Sequence, residues 1–522
     1  MPKVKKGKRQ RAYAPKSQSG CLTCKIRRVK CDEGRPACHR CTSTSRTCDG
    51  YAHSKVPTTA VSIRASPSLD INRACPLSKR SFAYFLQLTR PQLAGFFGSD
   101  FWERLVLQAA YHEPAVRHAI IAIGSRHETA AQQTIRVGAG NMFALGQYNL
   151  AIKHLLDPSL RRGERHLDIF LMSSILFACF ESIQGNHALA ITHIQSGVKL
   201  LQETVYDQKT GALQHQKLGE PSRVNSYTSL ETYAKVFALL DSGASRIIGD
   251  YYRSSIQSSS VHTEKIYGDS PISFSSIYEA KSTFEYGACM FSGTLDSKLS
   301  GASVQLPHSP PKDQRSHLTT LMSKFWLAVQ ELVRLKSSHF TEKEELAAAV
   351  LQLNVLVTWV SFEVDLQHPS SAITWDVFMP RLEEMVRLGD QIVSCIKSGN
   401  PNGAGSMSVS LESGYIIPMY AVASNCQDLT IRRRAIAVLR SVPRQEGLWN
   451  SLLAAKAAER IIEIEAEASR ELAGYSGDPW EVECFRARPL LIIDAKGGRL
   501  HYTRNSLDGC DTHEVVEEIF SW

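Results

Sequence analysis

Six cysteines, Cys21, Cys24, Cys31, Cys38, Cys41 and Cys48, follow the spacing C-x2-C-x6-C-x6-C-x2-C-x6-C. The run is an internal repeat, because adding 17 to Cys21, Cys24 and Cys31 gives Cys38, Cys41 and Cys48. A segment of about thirty residues buries too little apolar surface to fold alone. Metal supplies what is missing. A C-x2-C turn sets two sulfurs on one ion, and zinc takes four tetrahedral ligands. Three cysteines per half leave each ion one short. Six thiolates with two shared between the ions satisfy both, and metal binding becomes the folding energy. Each half is expected to be a C-x2-C turn followed by a short helix ending near the third cysteine. A zinc ribbon that grips protein and a disulfide framework are the alternatives. The other seven cysteines (Cys75, Cys179, Cys289, Cys395, Cys426, Cys484 and Cys510) stand singly and read as core filler.

Charge is concentrated around this repeat. Residues 1–60 hold 15 Lys and Arg against 3 Asp and Glu, whereas the remainder holds 45 against 48. A basic block on a near-neutral body calls for a polyanion at the block alone. Between Cys24 and Cys31 lie Lys25, Arg27, Arg28 and Lys30. On a helix these side chains project from a module too small to bury them. Arginine bridges guanine O6 and N7 in the major groove, and both residue types take phosphates. The second half offers only Thr42, Ser43, Thr44, Ser45 and Arg46, so the first half is expected to read bases and the second to rest on the backbone. The tail, with Lys3, Lys5, Lys6, Lys8, Arg9 and Arg11, lacks core formers and serves nuclear import, phosphate contact or solubility.

With Gly20 before the first cysteine and Asp32 after the third, Cys21 through Cys48 resembles the fungal zinc binuclear cluster (Zn2Cys6) family. The resemblance implies two zinc ions bridged by Cys21 and Cys38. One would be held by Cys21, Cys24, Cys31 and Cys38, the other by Cys21, Cys38, Cys41 and Cys48. It implies base reading by Arg28 at a CGG-like triplet, where many members carry Lys, and it matches Pro36 to a loop proline. Some members follow the cluster with a dimerising coiled coil. Residues 50–80 show no heptads and three prolines, Pro57, Pro67 and Pro76, so any homodimer must form through the body.

The expected organisation is a basic tail at 1–19, the zinc module at 20–50, a Ser/Pro-rich linker at 51–78 and an all-helical regulatory domain at 79–522. Apolar residues recur at helical spacing from about Ser81 to Ala468, as in Val116, Ile120, Ile123 and in Leu318, Leu321, Phe325, Leu332, Leu335. Roughly ten to twelve helices fill the region at ordinary helix lengths. A minor β hairpin is expected around Lys496-Gly497-Gly498, and a last short helix over Glu514–Phe520. Trp102, Trp326, Trp359 and Trp449 read as core, as does His118. The stretches from Pro418 to Asp428, Ile431 to Ile436 and Arg444 to Trp449 resemble the helical regulatory domain of the same family. In the second stretch Ile431, Ala435, Ile436 and Leu439 form an apolar stripe, with Arg432, Arg433 and Arg434 facing outward or paired with carboxylates.

The start of the chain shows no secretory signal. The most apolar runs, Ile169–Phe180 and Leu346–Phe362, fall short of a membrane span and read as buried helices. No phosphate loop, G-x-S-x-G or H-E-x-x-H motif is present, so no enzyme is expected. The expected function is sequence-specific, duplex-DNA-binding regulation of RNA polymerase II transcription in the nucleus. By family habit the body responds to a small-molecule effector and the targets belong to one metabolic pathway. A zinc-stabilised protein-interaction factor is the other reading.

Overall fold

The computed structural model describes residues 21–27, 29–34, 37–48, 75–131, 139–157, 166–207, 212–215, 230–240, 271–285, 287, 312–367, 375–399, 407–472, 490–494, 497–505 and 513–520. The chain divides into two compact units, Met1–Ser68 and Leu69–Trp522.

The first unit has almost no oil. Among the described residues its helices are α1 (Leu22–Ile26) and α2 (His39–Thr42), and the buried cluster consists of Cys21, Cys24, Cys31, Cys38 and Cys41 with Cys48 packed against it. Each helix starts immediately after the first cysteine of its C-x2-C pair. That cysteine is the N-cap: Cys21 Sγ accepts the backbone N–H of Cys24. The helices therefore coincide with the C-x2-C turns and do not follow them. α1 ends at Ile26, five residues short of Cys31, so Lys30 lies beyond the helix.

The second unit is helical. Its amino-terminal half comprises α3 (Pro76–Tyr84), α4 (Arg90–Leu93), α5 (Val106–His112), α6 (Pro114–Ala131), α7 (Ala139–Leu155), α8 (His166–Gln184), α9 (His187–Gln202) and α10 (Leu230–Leu240). Pro76 and Pro114 each open a helix, where a missing N–H costs nothing. Two π-helical segments, Phe85–Thr89 and Phe101–Leu105, run into α4 and α5. The core holds Trp102, Val116, Ile120, Leu176, Phe180 and Phe237. The carboxy-terminal half comprises α11 (277–285), α12 (Lys312–Lys336), α13 (Glu342–Gln367), α14 (Met379–Gly399), α15 (Ile416–Asn425), α16 (Leu429–Ser441) and α17 (Ser451–Leu472). A capping box starts α13: Glu344 accepts the N–H of Thr341, and Thr341 Oγ1 accepts the N–H of Glu344. Asp428 caps α16 by accepting from Thr430 and Ile431.

A small sheet joins the halves. After α9, β1 (Thr204–Asp207) pairs antiparallel with β2 (Ala212–His215); in the joining sheet, β3 (Ser408–Ser410) pairs in parallel with β4 (Arg444–Glu446), which pairs with β5 (Trp449–Asn450). Val409 and Leu411 belong to the first core, whereas Phe96 from the first half belongs to the second. Glu412 accepts the N–H of Phe96, and His127 bonds the carbonyl of Met407 at 3.0 Å. Buried Glu446 accepts from Gly414, Tyr415 and Ile416, capping α15, and is paired with Arg444 at 2.8 Å. The Arg444–Trp449 stretch singled out in the sequence is thus a structural clasp.

Several expectations change. Two of the three arginines take the carboxylate pairing that was one of the alternatives, but at different depths: Arg432, 2% exposed, reaches Glu465 and the Ala423 carbonyl, while Arg434 pairs with Asp390 on the surface. Leu321, Phe325 and Leu332 are buried, but Leu335 is exposed, since the stripe drifts off the core in the last turn of α12. The helices containing the two apolar runs are longer than the runs themselves. Leu167–Gln184 and Glu342–Val364 have the length and hydropathy of a membrane span, yet 72% and 67% of these stretches lie inside the fold. The expected hairpin forms between β6 (Leu490–Asp494) and β7 (Gly497–Asn505). The expected last helix is a strand, β8 (His513–Phe520), paired with β7. The apolar residues at 515, 516, 519 and 520 follow helical spacing, but Val515, Val516, Ile519 and Phe520 are β-favouring, and pairing with β7 decides the outcome.

Candidate metal centre and nucleic-acid interface

The sulfurs of Cys21, Cys24, Cys31 and Cys38 lie within 4.8 Å of one another, and so do those of Cys21, Cys38, Cys41 and Cys48. The two quartets share Cys21 and Cys38, whose sulfurs are 3.6 Å apart. Cys24 sits 3.7 Å from Cys38, and Cys41 sits 3.8 Å from Cys21. A tetrahedron of sulfurs at a zinc–sulfur distance of 2.3 Å has edges of about 3.8 Å, so the cage has the size the ion requires. Backbone N–H groups of Cys21 and Glu33 also point at Cys31 Sγ, both at 3.4 Å, as suits a thiolate. Burial disfavours the charged form and pushes the Cys21, Cys24 and Cys38 thiols above their ordinary value. A divalent ion reverses that sign. The donor set therefore fits zinc in both quartets.

The repeat has a geometric consequence. Cys21 and Cys38 are equivalent positions 17 apart, and they touch. Cys24 and Cys41, also equivalent, approach to 3.8 Å. Arg27 and Thr44 are a third equivalent pair, joined by a 3.3 Å hydrogen bond from the guanidinium to Oγ1. Equivalent atoms meet only on a symmetry axis, so a local pseudo-twofold runs through these three contacts. Asp32 fastens the halves off the axis. Its carboxylate accepts the N–H groups of His39 and Arg40 at 2.8 Å each, and those two bonds, Arg40 first, hold its carboxyl below the usual range.

The basic residues separate by this geometry. Lys25 and Lys30 are exposed, and Arg27 is half-buried against the second half. Arg28 and Pro36 lie outside the described residues. Sequence reasoning named Asp32 without giving it a role and did not foresee the bond from Arg27 to Thr44. The 17-residue offset that relates Arg27 to Thr44 carried the missing signal.

In the body, His118 is satisfied by Gln147 at 2.7 Å. Trp102 and Trp359 are buried, with Trp326 and Trp449 packed against the carboxy-terminal core. Among the described residues, the two cysteine quartets are the only sets of three or more His, Cys, Asp or Glu side chains close enough to hold a metal.

Comparison with known proteins gives two family matches. Residues 19–56 match the fungal Zn(2)-Cys(6) binuclear cluster domain, and residues 82–282 match the fungal specific transcription factor domain. The chain is 33% identical over 215 residues to the aspercryptin biosynthesis cluster-specific transcription regulator atnN of Emericella nidulans, covering 36% of this chain and 35% of that protein. It is 31% identical over 209 residues to the transcription regulator lscL of Purpureocillium lilacinum, covering 35% and 48%. Sterol uptake control protein 2 of Candida albicans shares 57% identity over 44 residues, 8% of this chain and 6% of that one. The matches thus span between a third and a half of the first two relatives. No solved structure matches.

Proposed function

We propose that this chain, which carries a fungal Zn(2)-Cys(6) binuclear cluster domain and a fungal specific transcription factor domain, is a sequence-specific DNA-binding regulator of RNA polymerase II transcription. The observation that carries the reading is the pair of thiol quartets sharing Cys21 and Cys38, with exposed lysines beside them. The zinc cluster domain binds two zinc ions. We assign one to Cys21, Cys24, Cys31 and Cys38, and the other to Cys21, Cys38, Cys41 and Cys48. The metal supplies folding energy. The chain's own residues then do the recognition: Arg28 reads a CGG-like triplet, Lys25 and Lys30 take phosphates, and Arg27 locks the halves together. The basic tail at 1–19 and a linker at 51–78 flank the module at 20–50. The helical body, 79–522, regulates it, with a homodimer interface and a small-molecule effector site as its means. By the kind of relative it matches, the chain controls a biosynthetic gene cluster in the nucleus.

Selection of bound sites from random duplexes with the full, zinc-loaded chain tests this. One enriched triplet indicates a monomer, and two at fixed spacing indicate a dimer. Arg28→Ala should cost about 1–3 kcal/mol and relax one base pair of the selected site. A chain that holds one zinc or none, or that enriches no sequence, overturns the proposal.

A further inference from the structure

α1 carries an apolar surface on one of the most basic stretches of the chain. Ile26 is 79% exposed and Leu22 43% exposed, and among the described residues nothing covers them. A helix advances about 100° per residue, which puts Ile26 about 40° from Leu22 and about 160° from Cys24. Cys24 faces the sulfur cluster, so Ile26 points almost straight away from it. The flanking Lys25 and Lys30 are exposed as well. Residues 21–48 hold seven Lys and Arg against two Asp and Glu. A second copy of this surface would meet like charge, whereas a polyanion is attracted. A duplex presents one apolar group at its base edges in the major groove, the 5-methyl of thymine.

We propose that Ile26 packs against a thymine 5-methyl group and makes the module prefer thymine at one position of its site. The proposal rests on the DNA-binding reading above. It differs from the arginine readout because it concerns a methyl group and no hydrogen bond. Ile26 sits at the end of α1, one residue before Arg27 and two before Arg28, so the thymine should adjoin the triplet.

The test uses the full zinc-loaded chain and its selected duplex, with each thymine replaced in turn by deoxyuridine, which removes only the methyl. One substitution should weaken wild-type binding about four-fold, the worth of one carbon removed from water. Ile26→Ala should bind the thymine and uracil forms equally. Ile26→Val, which is one carbon smaller, should show a reduced response. Zinc content, two per chain, checks that each variant is folded. If no uracil position affects the wild type, or if Ile26→Ala keeps the four-fold response, the proposal is overturned. Equal loss on both duplexes together with a change in oligomeric state would mean that a second copy covers Ile26, which also overturns it. A chain that binds duplex but is blind to the methyl defeats this inference alone. A chain that binds no duplex defeats the proposed function with it.

Discussion

At the residue scale, Arg27 shows how a small module spends its charges. In the sequence it is one of four equivalent-looking cations between Cys24 and Cys31. In the structure it is the one that reaches Thr44 across the pseudo-twofold. A guanidinium donating there ties the two halves together, and the proposed role of Arg27 is that lock and not a base edge. Arg27→Ala should therefore weaken binding by a similar factor on every duplex, leaving the selected sequence unchanged. Competition with a chelator should also draw zinc from this variant at lower chelator concentration than from the wild type. A variant that relaxes one base pair while holding zinc normally would return Arg27 to the base readers. The two cysteine quartets were legible in the sequence because tetrahedral coordination leaves few spacings that work. That Arg27 turns to Thr44 while Lys25 and Lys30 stay exposed was not, because composition carries charge and says nothing of direction. Arg432 teaches the same lesson in the body. Three consecutive arginines read as a charged face, yet the first is buried and anchors α16 to Glu465 and the Ala423 carbonyl.

At the element scale, close crossings matter more than propensity. Gly124 lies inside α6, where alanine would be the better helix former by about 1 kcal/mol. A Cβ there would stand 2.2 Å from the Ser81 carbonyl oxygen and 3.0 Å from Phe85 Cβ. Backbone cannot swing aside as a side-chain tip can, and forced overpacking costs about 1–3 kcal/mol. With backbone in the way the cost falls at the upper end, so Gly124→Ala should lower the stability of the body by up to about 2 kcal/mol net of the helix gain. A denaturant midpoint shifts down on that account and up if propensity prevails. Helix existence was readable from spacing, as with Val116, Ile120 and Ile123, all buried. The β3–β4–β5 clasp was not, because its strands run for only two or three residues and β3 meets β4 across 36 positions, which leaves no local period. β8 was misread because its apolar residues at 515, 516, 519 and 520 follow helical spacing, and only pairing with β7, which no local pattern shows, makes the run a strand.

At the scale of the whole molecule, the two units are held together by unrelated physics, and different reagents should take them apart. The first depends on thiolates shared between cations. A strong chelator near pH 8 should abolish duplex binding while leaving the helical signal and the melting of the body almost unchanged, since α1 and α2 contain only five and four residues. The second unit answers to acid through its histidines. Burial pushes His118, His127 and His193 below the ordinary value, and His187 down to about 4. The folded state keeps these rings neutral, whereas the unfolded chain protonates them from about pH 6.5 downward. The unfolded state then binds more protons, so stability falls as pH falls. The loss begins near pH 6.5 and levels off once the folded rings protonate, about pH 4 for His187. That ring alone contributes about 3 kcal/mol. Burial of Glu181 and Glu412 works the other way, because both carboxyls sit above their ordinary value and are relieved by protonation. With four rings against two carboxyls, the rings should prevail. Thermal melts of the helical body between pH 7 and pH 4.5, run with chelator so that zinc loss is common to all samples, should show a steady downward shift. His187→Gln should flatten that slope. A melting temperature constant across the interval would mean that the histidines titrate alike in the folded and unfolded chains.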